Sequence, residues 1–433
     1  MIKILNINVR NKHFEYAVIA LLLLILFLAI VIDVYPNGIS IKKIFQIYML
    51  KMPVIILMIL NIVYRSITYV LYKSRGDRSF TPGISIVIPA YNEGSMIKNA
   101  IESAFYANYP DVNREVICIN DGSTDDTLKY INEARTIFGT KLIFIDFEKN
   151  QGKRAALAAG FKTAKNEIIV TLDSDSVLEK DSLLHLVMPF TNPEVGAVTG
   201  SVKVFNKTKN LLTRMLGVRY IMSFDFLRAT QSTINTVFCC SGVLSAYRKS
   251  ILDEVTGAWL NQTFLNELCT YGDDRSLSNF VIRHGYNTVY ARKASVKTVV
   301  PENIPKLMKM LVRWNKSFIR ESLVFFQFAF TKYRTKNRFL PLVDYFLQVS
   351  LFIIQFYCYA LMLYLVILVP LIIFKYIAGI AVVASMYLLI YLRFERRVDF
   401  IYGILYAYLT FFLLFWTIPY AFLTLKNRSW LTR

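Results

Sequence analysis

Long apolar stretches lie at both ends of this 433-residue chain and are missing from its middle. An α-helix needs about 20 apolar residues to cross a bilayer, so such stretches are typical of membrane segments. The overall content agrees, since 55% of the residues are hydrophobic and the mean hydropathy is +0.42. We therefore expect membrane helices on either side of a polar domain. The apolar stretches are 17–32, 52–72, 345–369, 371–392 and 400–425.

Basic residues crowd both ends of the polar middle region, at 73–78 and 306–320. Positive charge marks the cytoplasmic side of a membrane protein, so the middle region and the N-terminus are expected inside. The stretch 400–425 is interrupted by a glycine and a proline. We interpret it as a re-entrant hairpin, which also keeps the C-terminus inside. A removed signal peptide is the weaker alternative for 17–32.

The charge and the cysteines fit a multi-pass membrane protein whose polar domain lies on the reducing, cytoplasmic side. The formal net charge is +20, which favours contact with anionic lipid and not with nucleic acid. Five scattered cysteines form no disulfide framework and indicate a reducing compartment. The predicted organisation is an N-terminal region with two transmembrane helices (1–75), a cytoplasmic α/β domain (76–300), amphipathic interface helices (301–338), a region of two transmembrane helices plus the hairpin (339–425) and a cytoplasmic tail (426–433).

The middle region alternates short β-branched runs with helix-like sequence. The runs lie at 84–89, 115–120, 142–146 and 167–172, and a polar motif follows each of them. This alternation predicts an α/β domain with a mostly parallel sheet and its polar motifs at the carboxyl ends of the strands. Neither GxGxxG nor GxxxxGK[ST] occurs, so the pattern supports neither a dinucleotide-binding Rossmann site nor a P-loop.

Two acidic pairs stand where carboxylates can do chemistry. Asp173 and Asp175 follow the fourth run, where they can hold Mg²⁺ or Mn²⁺ against a diphosphate. Asp273 and Asp274 precede a predicted helix at 276–283. One of these two is a candidate general base, because no histidine is suitably placed. The alternative is that both are ordinary acidic residues at a helix N-terminus.

Arg313 and Trp314 lie in a basic amphipathic stretch after the acidic pairs. An arginine can pair with a diphosphate and an indole can stack on a sugar ring. The alternative is that the two side chains anchor the chain at the lipid headgroups.

One face of the third apolar stretch is polar. Either Asp344 is interfacial and the glutamines bond a neighbouring helix, or this face lines a wet path for a polymer. The residues are Asp344, Gln348, Gln355 and Tyr359.

Short motifs follow one another in a fixed order along the chain: VIPAYNE (87–93), NDGS (120–123), GKR (152–154), DSD (173–175), CSGVLS (240–245), NQTF (261–264), GDDR (272–275), RWNKSF (313–318) and WLTR (430–433). This order resembles the processive inverting family 2 glycosyltransferases and, within that family, the class I hyaluronan synthases. The likeness covers the polar domain and continues into the C-terminal apolar segments. RWNKSF and WLTR are specific to the hyaluronan branch, whereas chitin and cellulose synthases share the other motifs.

The resemblance implies a GT-A-like fold and a role for each matching residue. The residues implied to hold uridine and its phosphates are Tyr91, Glu93, Asp121 and Lys153. Asp173 and Asp175 are implied to bind the nucleotide and the metal. The loop implied to hold the acceptor sugar is Cys240, Ser241 and Gly242. Asp274 is the implied base, beside Asp273. Arg313 is implied to meet the diphosphate and Trp314 to stack on the acceptor. Trp430 and Arg433 are implied to belong to a loop that closes over the nucleotide.

The implied substrates are UDP-GlcNAc and UDP-GlcA, polymerised into hyaluronan that the same protein extrudes. Three positions depart from the family pattern, since Met310 replaces a Gln, Val243 a Pro and Leu431 a Gly. The alternatives are a chitin or poly-N-acetylglucosamine synthase that uses UDP-GlcNAc alone, a polyprenyl-phosphate sugar transferase, and a channel with a degenerate cytoplasmic domain.

Overall fold

The computed structural model describes residues 41–334, 337–395 and 399–427. Its helices are α1 (Ile41–Val70), α2 (Met96–Tyr106), α3 (Thr127–Phe138), α4 (Lys153–Thr163), α5 (Ser182–Val187), α6 (Leu211–Ile221), α7 (Leu227–Thr233), α8 (Lys249–Leu260), α9 (Asp273–Arg283), α10 (Ile304–Ala329), α11 (Phe339–Leu368), α12 (Ile372–Glu395), α13 (Phe400–Leu409) and α14 (Thr417–Leu423). One turn of π-helix, Met222–Phe226, joins α6 to α7, and another, Thr410–Leu414, extends α13.

An eight-stranded sheet organises the middle region, in the order β3-β2-β1-β4-β7-β6-β10-β5. Its strands are β1 (Ile84–Ala90), β2 (Arg114–Asn120), β3 (Leu142–Asp146), β4 (Ile168–Leu172), β5 (Ser176–Leu178), β6 (Val195–Val204), β7 (Leu244–Arg248) and β10 (Asn287–Thr298). A separate hairpin pairs β8 (Thr263–Phe264) with β9 (Glu267–Leu268). The pairs β1–β2, β2–β3, β1–β4 and β6–β10 are parallel, whereas β7 and β5 run antiparallel to their neighbours. The prediction of an α/β domain with a mostly parallel sheet is therefore confirmed.

Both faces of the sheet are covered by helices, because its central strands are apolar on both sides. All seven residues of β1 are buried, as expected for a parallel strand inside an α/β domain. Helix α4 packs closely on β1 through Gly160. A Cβ at this glycine would lie 2.3 Å from Val87 Cγ1, so only glycine allows this approach.

Two of the described helices are long and apolar enough to cross a membrane, through Met52–Val70 of α1 and Phe339–Leu368 of α11. The count is three if Phe400–Leu414 and Thr417–Leu423, which meet at a bend of 47°, form one broken span. The predicted hairpin at 400–425 corresponds to this bent pair. The predicted span at 17–32 lies outside the described residues.

A buried ion pair joins the two apolar helices. Arg65 of α1 contacts Asp344 of α11, and their side chains are 2% and 0% exposed. Arg65 also donates to Thr230 Oγ1 of α7 at 3.0 Å, while Gln348 Nε2 donates to Asp344 Oδ2 at 2.5 Å. The interpretation of Asp344 as an interfacial side chain is therefore wrong. The pair fastens both helices to the α/β domain, since α7 packs against β10 of the sheet.

Removing one partner of this pair leaves an uncompensated buried charge, which costs roughly 3–5 kcal/mol. We expect Asp344→Asn and Arg65→Met each to lower the thermal unfolding midpoint of the purified protein in detergent. The double variant Arg65→Leu/Asp344→Leu recovers much of the loss, because it leaves neither charge unpaired.

The matched control is Lys98→Met, which breaks the surface pair with Glu133. Its cost stays below about 1 kcal/mol because water screens exposed pairs. Equal shifts for Lys98→Met and Asp344→Asn would contradict the assigned role of the buried pair.

Candidate functional site

Four motifs that lie apart in the sequence meet at the ammonium group of Lys153, which belongs to the GKR motif. Lys153 Nζ lies 2.5 Å from Asp173 Oδ1 and 3.6 Å from Asp273 Oδ2. Gly242 borders the same group, since a Cβ at this glycine would lie 3.1 Å from Lys153 Nζ. The GKR, DSD, CSG and GDDR motifs therefore form one site.

Glycines start the two helices that carry the charged residues. Helix α4 begins at Lys153 after Gly152, which has φ +91°, and α9 begins at Asp273 after Gly272, which has φ +68°. A Cβ at Gly272 would lie 2.2 Å from Ser317 Oγ. The turn therefore requires glycine for two reasons, because its φ angle is positive and because it has no room for a side chain. The turn places both carboxylates of the acidic pair at the N-terminus of α9, where the helix dipole favours negative charge.

The charges around Lys153 stabilise one another. Burial alone would lower the pKa of the Lys153 ammonium, but Asp173 and Asp273 outweigh it and raise that pKa above its usual value. Burial would likewise raise the pKa of Asp273, yet Lys153 and Arg154 hold it below the usual range. Both groups are therefore charged at neutral pH.

Asp274 differs from its neighbour Asp273 in its surroundings. Within the described part of the chain it forms no ion pair, and its side chain is half-buried. Its Oδ1 accepts from the Arg275 backbone N–H at 2.8 Å, and its Oδ2 lies 3.4 Å from Cys239 Sγ. Lys153 acts on Asp274 electrostatically but pairs with Asp273, so Asp274 is the better placed of the two carboxylates to accept a proton.

The motifs assigned to uridine form interlocked loops beyond β1 and β2. Asp121 accepts from the backbone N–H groups of Gln151 and Gly152, at 2.7 and 3.0 Å. Burial raises the pKa of Asp121, and these two donors oppose the rise. Glu93 Oε1 accepts from Ser174 Oγ at 3.0 Å, which ties the first loop to the DSD motif. Tyr91 is half-buried at the end of β1.

The two carboxylates of the DSD motif have different partners. Asp173 faces Lys153, whereas Asp175 Oδ1 accepts from Ser176 Oγ at 3.0 Å and Thr298 Oγ1 at 3.2 Å. The described residues contain no cluster of three or more metal-ligating side chains. Mg²⁺ is commonly bound by one or two carboxylates together with substrate phosphates. This donor set therefore fits a cation that is held jointly with a diphosphate.

The loop that is predicted to hold the acceptor sugar is buried beside this charge network. Cys240 is fully buried and Ser241 is 5% exposed. Ser241 N–H donates to Thr199 Oγ1 of β6 at 3.2 Å, which anchors the loop to the sheet.

Arg313 and Trp314 lie on α10, on the other side of the acidic pair. Arg313 also lowers the pKa of Asp273, but by less than Lys153 and Arg154 do. Trp314 packs with its ring centroid 6.2 Å from that of Tyr220. Met310 is buried in the apolar core, which explains why an amide is absent at this position.

Sequence reasoning missed the contacts that set the charge of the site. Nothing in the sequence pattern indicated that Lys153 bridges two carboxylates or that Cys239 touches Asp274. The sequence feature that could have drawn attention to this segment is the pair of adjacent cysteines, Cys239 and Cys240, just before Ser241-Gly242. Trp430 and Arg433 lie outside the described residues, so their predicted gating role stays a prediction.

Comparisons with known proteins agree on the domain. Residues 85–256 match the model of the family "Glycosyl transferase family 2". A hyaluronan synthase of Streptococcus pyogenes is 34% identical over 56% of this chain and 58% of its own length. An N-acetylglucosaminyltransferase of Azorhizobium caulinodans is 28% identical over 56% of this chain and 61% of its own length. The matches thus span about three fifths of these relatives.

A solved structure supports the fold. A mannosyltransferase from Pyrobaculum calidifontis, in complex with GDP-Man and Mn²⁺, superposes with a TM-score of 0.55 at 16% identity, over 87% of this chain and 98% of its own. Residues 85–256 therefore match a family 2 glycosyltransferase domain, the fold is GT-A-like, and the chain is similar to hyaluronan synthases over 56% of its length.

Proposed function

We propose that the protein is a membrane-embedded, processive, inverting glycosyltransferase that joins UDP-GlcNAc and UDP-GlcA into hyaluronan. It would extrude this polymer across the plasma membrane, with the catalytic domain on the cytoplasmic side. The observation that carries the proposal is the charge arrangement: Lys153 pairs with Asp173 and Asp273, whereas the adjacent Asp274 forms no ion pair among the described residues.

Asp274 is the proposed base. It takes the proton from the acceptor hydroxyl, whose oxygen attacks the anomeric carbon of the donor sugar while the nucleoside diphosphate leaves from the opposite face. A single displacement of this kind inverts the anomeric configuration. Asp273 cannot take the same role, since Lys153 and Arg154 stabilise its charged form.

Lys153 is the proposed contact to the leaving diphosphate. A phosphate oxygen can replace a carboxylate as the partner of its ammonium group, so the lysine exchanges one anion for another without being left unpaired. Asp173 and Asp175 would hold Mg²⁺ or Mn²⁺ there, and the cation would neutralise the leaving group.

A small cavity lies on the side of the site that faces the apolar helices. Its volume is about 20 Å³, and it lies between α9, α10 and α11. Its lining includes Arg275, the neighbour of Asp274, and Gln348 of the apolar helix α11. Aromatic side chains form much of the remaining wall and are suitable surfaces for sugar rings; they are Phe238, Phe318, Phe325 and Tyr345.

A chitin-type or poly-N-acetylglucosamine synthase is the second candidate. The similarity to an N-acetylglucosaminyltransferase favours it, and the buried Met310 removes a polar contact of the hyaluronan pattern.

Incubating membranes that contain the protein with each labelled donor alone, and with both, separates the two candidates. We expect polymer only with both donors, because hyaluronan alternates two sugars, and we expect a hyaluronan-specific lyase to degrade it. Abundant polymer from UDP-GlcNAc alone would replace the first proposal with the second. A product soluble in chloroform would indicate transfer to a polyprenyl phosphate.

Asp274→Asn should remove the proposed base. Loss of a general base slows transfer by about 10²- to 10⁴-fold. The measurement is initial rate of sugar incorporation at saturating donors, with Asp253→Asn as control because Asp253 is an exposed partner of Lys249. Equal rates for wild type and Asp274→Asn would exclude Asp274 as the base.

Removing divalent metal should stop the reaction. We expect EDTA to abolish incorporation and added Mg²⁺ or Mn²⁺ to restore it. Asp175→Asn should raise the metal concentration for half-maximal rate by at least about tenfold, since it weakens one of the two proposed protein ligands. Undiminished incorporation in excess EDTA would argue against a required metal.

A further inference from the structure

The Cys239–Cys240 segment is fastened to the first turn of α9 by buried contacts. Cys239 Sγ lies 3.4 Å from Asp274 Oδ2. Cys240 N–H donates to Ser278 Oγ at 2.8 Å, and Ser278 Oγ donates in turn to the Asp274 backbone oxygen at 2.7 Å. Cys239 is 7% exposed, while Cys240 and Ser278 are 0% exposed. Both the side chain and the backbone of Asp274 are therefore held by the same segment.

The chemistry of the thiol fixes the direction of its hydrogen bond. Burial, followed by the negative charge of Asp274, raises the pKa of the Cys239 thiol to about 12. The thiol thus stays protonated at neutral pH and donates its S–H to the carboxylate. A thiol is a weak donor, so it can orient a carboxylate oxygen without competing strongly with an incoming hydroxyl.

The position of the segment adds a connection to the donor side. Three residues after Cys239, Gly242 borders the Lys153–Asp173 pair. One short stretch of chain therefore contacts the proposed base at one end and the proposed diphosphate contact at the other. A shift of this stretch would change the distance between base and donor, to which transfer rates are very sensitive.

We propose that Cys239 and Ser278 are positioning residues for Asp274, Cys239 by orienting its Oδ2 and Ser278 by linking its backbone to the acceptor loop. The inference rests on the proposed role of Asp274 as base. Neither residue is required to touch the sugars. Their contribution is to hold the carboxylate toward the acceptor hydroxyl before transfer.

The test compares purified full-length variants by kcat for sugar transfer and KM for each donor. Cys239→Val removes the donor at similar volume and should lower kcat about tenfold, because a misplaced base costs rate. KM for both donors should stay within about twofold, since the donor contacts are intact. Cys239→Ser keeps a donor and should retain kcat within about twofold. Ser278→Ala should lower kcat, and Ser278→Thr should restore it.

Cys118→Val is the matched control, because Cys118 is a buried thiol of β2 that lies outside the site. Its kcat should equal that of wild type. If Cys239→Val does not fold, as judged by its thermal midpoint, Cys239→Ala replaces it, since it also lacks the donor.

The inference is overturned if Cys239→Val keeps the wild-type kcat, or if Cys239→Ser loses as much kcat as Cys239→Val. Either result leaves the proposed function standing as long as Asp274→Asn is inactive. Wild-type transfer by Asp274→Asn instead overturns the proposed function itself.

Discussion

The bridge from Lys153 to Asp173 and Asp273 is the interaction on which the rest of the site depends. It joins the start of α4, the end of β4 and the start of α9, which are separated by 20 and 100 residues or more in the chain. Two carboxylates this close together would repel each other. The ammonium group between them offsets that repulsion and allows both to lie in the same site. The sheet provides the frame, because it brings the ends of its strands to one edge.

The same bridge gives the two adjacent aspartates different surroundings. Asp273 is buried and engaged by cations, so its charge serves the structure of the site. Asp274 sits one residue further along α9, half-buried and without an ion pair among the described residues. A one-residue step in a helix turns a side chain by about 100°. Two chemically identical residues thereby face different surroundings, which the spacing of the residues alone does not reveal.

The sequence pattern predicted those elements of the fold that short-range residue preferences determine. The first four strands lie within one residue of their predicted limits, because β-branched runs between polar turns are readable in a short window. The residues Leu244–Arg248 gave no such signal, and β7 runs antiparallel between β4 and β6. Strand order and pairing depend on contacts between distant segments, which a short window does not contain.

The sequence predicted which residues form the candidate site but not how they are arranged. Motif order placed Asp173, Asp273 and Lys153 in one site, and the structure brings them together. Their mutual distances, like the contact between Cys239 and Asp274, follow from how helices pack on the sheet. The ion pair of Arg65 with Asp344 was unforeseen for the same reason, although Asp344 stood out as a polar residue at the start of an apolar stretch.

Gly160 shows how far from the chemistry a change can act. It lies two helical turns along α4 from Lys153, in the contact with Val87. One added methyl group there would push the helix away from the sheet, because a packed interior transmits displacement instead of absorbing it. The ammonium group at the head of the helix would move with it. The geometry of the candidate site is therefore set partly by the absence of a side chain at a position that lies outside the site itself.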